Sequence, residues 1–351
     1  PAFRLDVKTD ADVIEEIARI YGYGKIPASA PRAVISSEGI SRRSRLISRV
    51  KEAVRMAGYT EAVNYSFMNS RHLDTLGLPE DDRRRKAVAI KNPLRKEDSL
   101  LRTTLVPSLM ETLKYNLFSG IKDIRVFEVS RVFEDIGELL PFESLRLGGI
   151  FYREKTPELW KEQAGDFYLV KGALESVFEE LRLKGCSFSA STETFLHPGK
   201  SADIYLSGQR AGFIGALSPL VTEGLDIKPK ADIMVFELDM DRLLLSVPAS
   251  PSFEPIPRFP CVERDIAIVV DEGMKADEII GLIKAYPSVF IEDASVFDYY
   301  KGANIPEGKK SLAFSVRYRS KDRTLTDEEV ETVHNGLLSH LTEKAGGEIR
   351  K

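Results

Sequence analysis

The sequence predicts an α+β protein in which a largely antiparallel sheet core precedes a smaller ferredoxin-like module. Three observations carry that. From about residue 40 to residue 248, strand-like runs and long amphipathic runs follow one another without strict β-α-β alternation, which argues against a doubly wound parallel sheet. From Arg258 onward the order reads strand, helix, strand, strand, helix, the split β-α-β arrangement. Between the two lies a joint with Pro248, Pro251, Pro255, Pro257 and Pro260, stiff by composition. The expected division is therefore residues 1–30, 31–248 and 249–351.

Composition narrows the function classes. Hydrophobic residues make up 43% and charged residues 30%, the balance of a soluble globular chain. The formal net charge is −4, so a nucleic-acid site has to be a local patch rather than a global field. Cys186 and Cys261 lie far apart without metal-ligand spacing; they point to a reducing, cytoplasmic setting and not to a disulfide framework. No apolar run approaches the ~20 residues of a membrane span. P-loop, GxGxxG, HExxH and CxxC patterns do not occur.

In chain order, Thr9 or Asp10 can cap a helix from about Ala11 to Tyr21, ended by Gly22 and Gly24. Val13, Ile17 and Ile20 are expected on its buried side. Asp6, Asp12, Glu15 and Glu16 crowd its start. Asp12 and Glu16 stand four apart on one face, so they repel unless a cation or a basic partner sits among them. The residues alone leave two readings open: an acidic first turn favoured by the helix dipole, or oxygen-only ligands of the kind Mg²⁺ takes. Residues 28–40 read as a linker. A basic amphipathic helix follows from Ser41 to Met56, with a stripe of Leu46, Ile47, Val50, Ala53, Val54 and Ala57, and Gly58 stops it.

Thr60 to Phe67 reads as a strand, and residues 71–86 as an exposed insertion whose DDRRRK run is solvated. The segment after Pro107 is helical, proline suiting a first turn. A strand pair is expected at Ile124–Val129 and Val132–Phe133, then a strand at Leu145–Tyr152 and a helix from Asp166 to Leu181. HPGKSADIYLSGQRAGFIGALSP reads strand, Gly-Gln turn, strand; Met234–Leu238 is a strand and Asp239–Leu245 a short helix. His197 has no nucleophile or acid at readable spacing, so its HPG reads as a turn in which the imidazole satisfies backbone groups. His72, His334 and His340 are expected in loops or on helix surfaces and form no cluster.

In the last module, Asp265–Val270 is a strand and Ala276–Tyr286 a helix with Ile279, Ile280 and Ile283 on one side. Leu312, Phe314, Val316 and Tyr318 alternate onto one strand face; Ser311, Ala313, Ser315, Arg317 and Arg319 take the other. Thr326 with Glu329 is a capping box ahead of a helical stripe at Val330, Val333, Leu337, Leu338 and Leu341. A short final strand fits Glu348–Lys351. Two helices cover one face of such a sheet. The other, carrying Ser, Arg and Tyr, reads either as a solvated face or as a platform for single-stranded RNA. From Arg258 the module holds 14 Lys and Arg against 17 Asp and Glu. Lys309, Lys310, Arg317, Arg319, Lys321 and Arg323 are nonetheless bunched, with only Asp322 among them.

Several stretches resemble one family. RFPCVERDIAIVVDE, FDYYKG, GKKSLAFSVRY and DRTLTDEEV are similar to the anticodon-binding domain of bacterial phenylalanine–tRNA ligase β subunits. NPL, LLRTTLVPSLM and IRVFEVSRVFE resemble their core, and D-x5-D-x2-E-E followed by IARIYGY and KIP resembles the end of their B5 domain. The resemblance spans essentially the whole chain and implies the order B5 end, class II aminoacyl-tRNA synthetase-like core and anticodon-binding domain. It implies a fragment of a longer polypeptide, without the editing domain.

The resemblance further implies that Asp6, Asp12, Glu15 and Glu16 are ligands of a Mg²⁺ ion shared with an α subunit, and that the Ser41 helix, like motif 1 of class II enzymes, makes subunit contacts. It implies that Asp298, Tyr300 and Ser311 meet the anticodon, with Arg317 and Arg319 serving phosphates or stacking. Partners would be the α subunit, in an (αβ)₂ heterotetramer, and tRNA(Phe); ATP and phenylalanine would be bound by α. Class II chemistry needs phosphate-binding arginines. Arg125, Glu128 and Arg131 echo motif 2 in shape. The nearest match to motif 3, GFIGALSP, carries no arginine, and Ser218 stands where the family often has His. The chain alone is expected to be inactive. Two alternatives stay open: a stand-alone RNA-binding or regulatory module with a degenerate synthetase fold, and a self-sufficient ligase.

Overall fold

The computed structural model describes residues 3–30, 39–154, 166–253, 255–302 and 304–350. Pro1, residues 31–38 of the expected linker, and Lys351 at the end of the expected last strand lie outside the described residues. The chain divides into two compact units, Pro1–Pro251 and Ser252–Lys351.

The first unit opens with α1 (Asp10–Tyr21), in which no residue is buried. The expectation for Val13, Ile17 and Ile20 is corrected: all three are exposed. The stripe is amphipathic, but the described residues put no covering surface on it. Helix α2 (Arg42–Met56) starts at Ser41, whose Oγ accepts from the Ser44 amide. It buries Leu46, Val50 and Val54 against Val170, Leu174 and Val177 of α5 (Asp166–Glu180). Its basic face is tied down, Arg43 to Asp241 at 2.6 Å and Arg49 to Glu180 at 3.0 Å.

The expected strand at Thr60–Phe67 is two short ones, β1 (Thr60–Glu61) and β2 (Phe67–Met68). The Ala62 amide makes a last sheet bond to the Phe127 carbonyl. Val63 and Tyr65 are then exposed, in the stretch that leaves the sheet between the two short strands. Residues 71–86 are no solvated insertion either. Helix α3 (Arg71–Thr75) and the turn after it bury Leu73, Leu76 and Leu78. Arg84 pairs with Asp82 at 2.6 Å and Glu193 at 2.7 Å, a partner more than a hundred positions away that no local window reveals.

Strand β3 (Leu100–Leu101) pairs with β2, and α4 (Val106–Phe118) carries Pro107 in its first turn. The expected strand pair at 124–133 is one strand, β4 (Asp123–Glu134), paired along its whole length with β5 (Phe142–Arg153). Arg131 is therefore mid-strand, bonded to Glu143 of β5, and not in a loop. After α5 come β6 (Cys186–Ala190), β7 (Leu196–Leu206), β8 (Gln209–Leu217), α6 (Pro219–Gly224), β9 (Ile233–Asp239) and α7 (Met240–Leu245). Strand β6 and helix α6 were not expected from the sequence. The β7–β8 turn is Ser207–Gly208, both at positive φ (49° and 78°), which suits a tight hairpin.

Among the described residues, seven strands form one sheet in the order β1-β4-β5-β9-β8-β7-β6, antiparallel except where β1 joins β4. One face packs Phe127, Leu147, Phe151, Met234 and Phe236 against α2 and α5. The other packs Ile124, Ile150, Val235 and Phe213 against α4. Glycines allow the close layering: a Cβ on Gly148 would lie 3.0 Å from Leu105 Cβ, on α4's side.

The second unit contains β10 (Val262–Asp271), α8 (Ala276–Ala285), β11 (Ile291–Tyr300), β12 (Lys309–Tyr318), α9 (Asp327–Ala345) and β13 (Glu348–Arg350). The sheet order β11-β12-β10-β13 is antiparallel throughout, the ferredoxin-like topology. Ile266, Ile268, Leu312, Phe314 and Val316 meet Ile279, Ile283, Leu337 and Leu341 of the two helices. Thr326 and Glu329 close the capping box ahead of α9. His334 and His340 are not surface residues. His334 Nδ1 lies 2.9 Å from the Tyr318 hydroxyl, and His340 packs against Tyr286 with the two rings tilted by 59° and its Nε2 buried.

Candidate nucleic-acid interface

The sheet face turned away from α8 and α9 follows from the register. Residues directly opposite on paired antiparallel strands share a face. Tyr300, Ser311 and Val269 form one such row with Glu348; Asp298, Ala313 and Ala267 form the next with Arg350. The floor is thus made of Ser311, Val269, Ala313 and Ala267, with larger groups at both rims. A bulge between Val296 and Asp298 leaves Phe297, Tyr299 and Tyr300 of edge strand β11 exposed. The FDYYKG glycine leaves room for the aromatic ring: a Cβ on Gly302 would lie 2.5 Å from the Tyr300 hydroxyl, so a larger residue there would displace the tip of that side chain.

Three of the five expected contact residues, Asp298, Tyr300 and Ser311, are brought together here. Asp298 is exposed, with Oδ1 accepting from the Tyr299 amide. Ser311 is only 5% exposed, recessed between Tyr300 and Val269. Arg317 and Arg319 stand apart. Arg317 sits opposite Asp293 and Glu263, six positions along β12 from Ser311, or roughly 20 Å at strand rise. It pairs with Glu263 at 3.0 Å, which holds its guanidinium above the ordinary pKa. Arg319 pairs with Glu292 at 2.9 Å and donates to the Phe259 carbonyl at 2.8 Å. The basic bunch of the sequence also loses Arg323, bonded to Glu329. Its acids come from other elements, so the local count overstated the positive field.

The acidic residues near α1 are arranged around arginines. Arg4 Nη2 meets Asp6 at 2.6 Å and Glu16 at 3.0 Å, and Arg19 meets Glu16 at 2.7 Å. The Arg4 guanidinium holds Asp6 down at about 2; Arg19 and then Arg4 lower Glu16. Asp12 accepts the amides of Lys8 and Thr9 at 2.8 and 2.7 Å, and these bonds lower it as well. Among the described residues no three His, Cys, Asp or Glu side chains are grouped to hold a metal. Of the expected ligands, Asp6 and Glu16 are thus bridged by Arg4, and Asp12 is engaged by backbone amides.

Among the described residues of the first unit, two cavities bear on function. One of about 510 Å³ is lined by Arg84, Arg146, Arg210 and Arg242 together with Glu193, Glu237 and Asp239. Its arginines are tied to carboxylates, as in Arg146–Asp239 at 3.1 Å and Arg210–Glu193 at 2.7 Å. Glu237 is spent on the Thr104 hydroxyl and the Leu105 amide, both at 2.7 Å. Sequence reading missed this group because its members come from separate segments; Arg242, just after strand β9, was the available signal. The other cavity, about 470 Å³, is lined by Tyr65, Phe67, Pro93 and Leu94 beside His72 and Glu111. Tyr65 and Leu94 are 83% and 97% exposed at its mouth. The HPG expected as a turn lies within strand β7, but the His197 imidazole does satisfy a backbone group, Nδ1 accepting from the Gly199 amide at 3.1 Å. No helix among the described residues is long and apolar enough to cross a membrane.

Comparison with known proteins agrees with this layout. A family model described as the phenylalanyl tRNA synthetase beta chain CLM domain matches residues 26–240. One for a ferredoxin-fold anticodon binding domain matches residues 257–350, and one for the tRNA synthetase B5 domain matches residues 1–23. The phenylalanine–tRNA ligase beta subunit of Moorella thermoacetica is 40% identical over 100% of this chain and 44% of its own length. That of Geobacter sulfurreducens is 39% identical over the same shares. The chain thus spans less than half the length of these relatives. A solved Desulfitobacterium hafniense pyrrolysyl tRNA synthetase, PylSc, matches with a TM-score of 0.43 and 15% identity, over 57% of this chain and 65% of that one, a likeness too slight to bear on the fold. Matched by the beta-chain model over residues 26–240 and by relatives along its whole length, the chain belongs to the phenylalanyl-tRNA synthetase beta chain family.

Proposed function

We propose that this chain serves as the β-subunit part of a phenylalanine–tRNA ligase, binding tRNA(Phe) while a separate α subunit performs ATP-dependent attachment of phenylalanine. The observation that carries this is the sheet face of the second unit. Tyr300 presents a partly exposed ring beside recessed Ser311 and exposed Asp298, within the segment matched by the anticodon-binding model. An unpaired base stacks on Tyr300; Asp298, an acceptor only, takes a base-edge amino group. Stacking of this kind is typically worth ~1–3 kcal/mol per base.

The first unit acts as a frame with a class II-like sheet. Its charged cavity has arginines already paired with carboxylates, which favours a supporting role over ATP binding. Exposed Tyr65 and Leu94 fit burial by a partner, and the assembly we propose is (αβ)₂. A shared Mg²⁺ at Asp6, Asp12, Glu15 and Glu16 would require Arg4 to leave its position on association.

The test is Tyr300→Ala in the assembled α–β enzyme. Affinity for tRNA(Phe) should fall about tenfold or more, with phenylalanine–AMP formation in the absence of tRNA unchanged. Unaltered tRNA affinity would remove Tyr300 from the interface. Light scattering of the mixed subunits reads the stoichiometry, and failure of the chain, extended to full length, to associate with α would favour a stand-alone RNA-binding module.

A further inference from the structure

The platform has a second planar group that the sequence reading did not contain. Arg350, on edge strand β13, lies opposite Ala267, which lies opposite Ala313, which lies opposite Asp298. From one edge of the sheet its side chain extends over this floor, and Cζ comes to rest 5.5 Å from the centre of the Tyr300 ring of the opposite edge strand. That reach is sterically conditional. Ala267 and Ala313 stand beneath the path, and a longer side chain at either position would block it. The cover is also consistent with Ser311, on the same floor, being only 5% exposed.

Resting on the RNA-platform reading above, we infer that Arg350 and Tyr300 form a clamp that takes one unpaired nucleobase between guanidinium and ring. Both groups are flat, and what fills a gap between two flat groups is a flat ligand. A ring–base–guanidinium stack needs about 7 Å between its outer planes, twice the usual stacking distance, so the contact at 5.5 Å is the closed state. Opening costs little, because an exposed cation–π contact is weak, and Arg350 is exposed on an edge strand. Closed, the clamp covers one face of Tyr300; open, it stacks on the far side of the base. Guanidinium is suited to this because it is planar and weakly hydrated, which lysine is not. Asp298, in the same row as Arg350, is the acceptor at the side of the stack.

The experiment uses the whole chain and, as probe, an RNA hairpin with about seven unpaired loop nucleotides, one of them 2-aminopurine. The parent, Arg350→Ala, Arg350→Lys and Tyr300→Ala proteins are titrated at one fixed salt concentration, with circular dichroism confirming each is folded. A clamp predicts that Arg350→Ala weakens binding about tenfold and relieves part of the 2-aminopurine quenching. It predicts that Arg350→Lys, which keeps the charge and loses the plane, resembles Arg350→Ala. Full restoration by lysine would make Arg350 a phosphate contact and overturn the clamp. Equal or tighter binding by Arg350→Ala would make it a mere lid and overturn it too. In both cases a loss in Tyr300→Ala leaves the platform standing. Absence of binding by the parent, or no effect of Tyr300→Ala, would overturn platform and clamp together.

Discussion

Arg102 and Glu128 meet at 2.9 Å in the interior of the first unit, each side chain only 2% exposed. The pair is embedded in further bonds. Arg102 donates to the Ser130 hydroxyl at 2.5 Å and the Arg131 carbonyl at 3.1 Å, and Glu128 accepts from the Asn64 side chain at 2.8 Å. It ties the approach to α4 to strand β4 and to the crossing chain between β1 and β2. A buried pair of this kind adds little net stability over apolar residues, yet removing one partner strands a charge. Glu128→Ala should therefore cost about 3–5 kcal/mol in urea unfolding. The double change Arg102→Met with Glu128→Leu should recover most of that loss. A loss under about 1 kcal/mol for the single change would mean water reaches the arginine.

His334 sets a pH dependence for the second unit. Burial, and then the nearby Arg264 charge, lower its pKa, while burial pushes Tyr318 up to about 12. A histidine lowered in the folded state is protonated first in the unfolded chain as pH falls. Its contribution is complete above the unfolded value of about 6.5 and is lost as pH drops from there towards the folded value. Protonation would also force Nδ1 to donate to Tyr318. The urea midpoint of the second unit should fall between about pH 7 and pH 5; in His334→Gln that slope should flatten. An unchanged slope would assign it to other groups.

Gly149 faces Phe236 so closely that a Cβ there would lie 2.2 Å from the ring. Gly149→Ala overpacks the interior and should destabilise by about 1–3 kcal/mol or more. Pairing it with Phe236→Leu should cost clearly less than the two single changes added. Simple additivity in thermal unfolding would show that the sheet relaxes instead of the ring.

Thr326 accepts from the Glu329 amide at 3.3 Å, and Glu329 accepts from the Thr326 amide at 3.0 Å. Thr326→Ala should cost about 1 kcal/mol, read by denaturant unfolding, while Thr326→Ser should be nearly neutral. Glu329, held down at about 2 chiefly by Arg323, keeps the box intact above its unfolded value of about 4.3. The cap weakens only as pH falls from there towards 2.

The amino-acid sequence by itself determined the features that short-range physics writes. Alternation at Leu312, Phe314, Val316 and Tyr318 placed four residues in one core, all buried, because side-chain period is local to a strand. The capping box at Thr326 and Glu329 was legible for the same reason, as was the proline in the first turn of α4. The family, too, was legible in long motifs. Tertiary structure alone decided what depends on partners distant in the chain. Arg84 looked solvated until Glu193 appeared beside it. Arg317 and Arg319 looked like part of one basic patch until Glu263 and Glu292 paired with them. Strand β4 looked broken at Ser130 and Arg131 because polar residues interrupt its apolar pattern; unbroken pairing with β5 keeps it one strand. Arg350 meets Tyr300 only because a fourth strand closes the sheet beside β10. Charge compensation and cross-sheet reach are set by which strands become neighbours, and no local window of the sequence contains that.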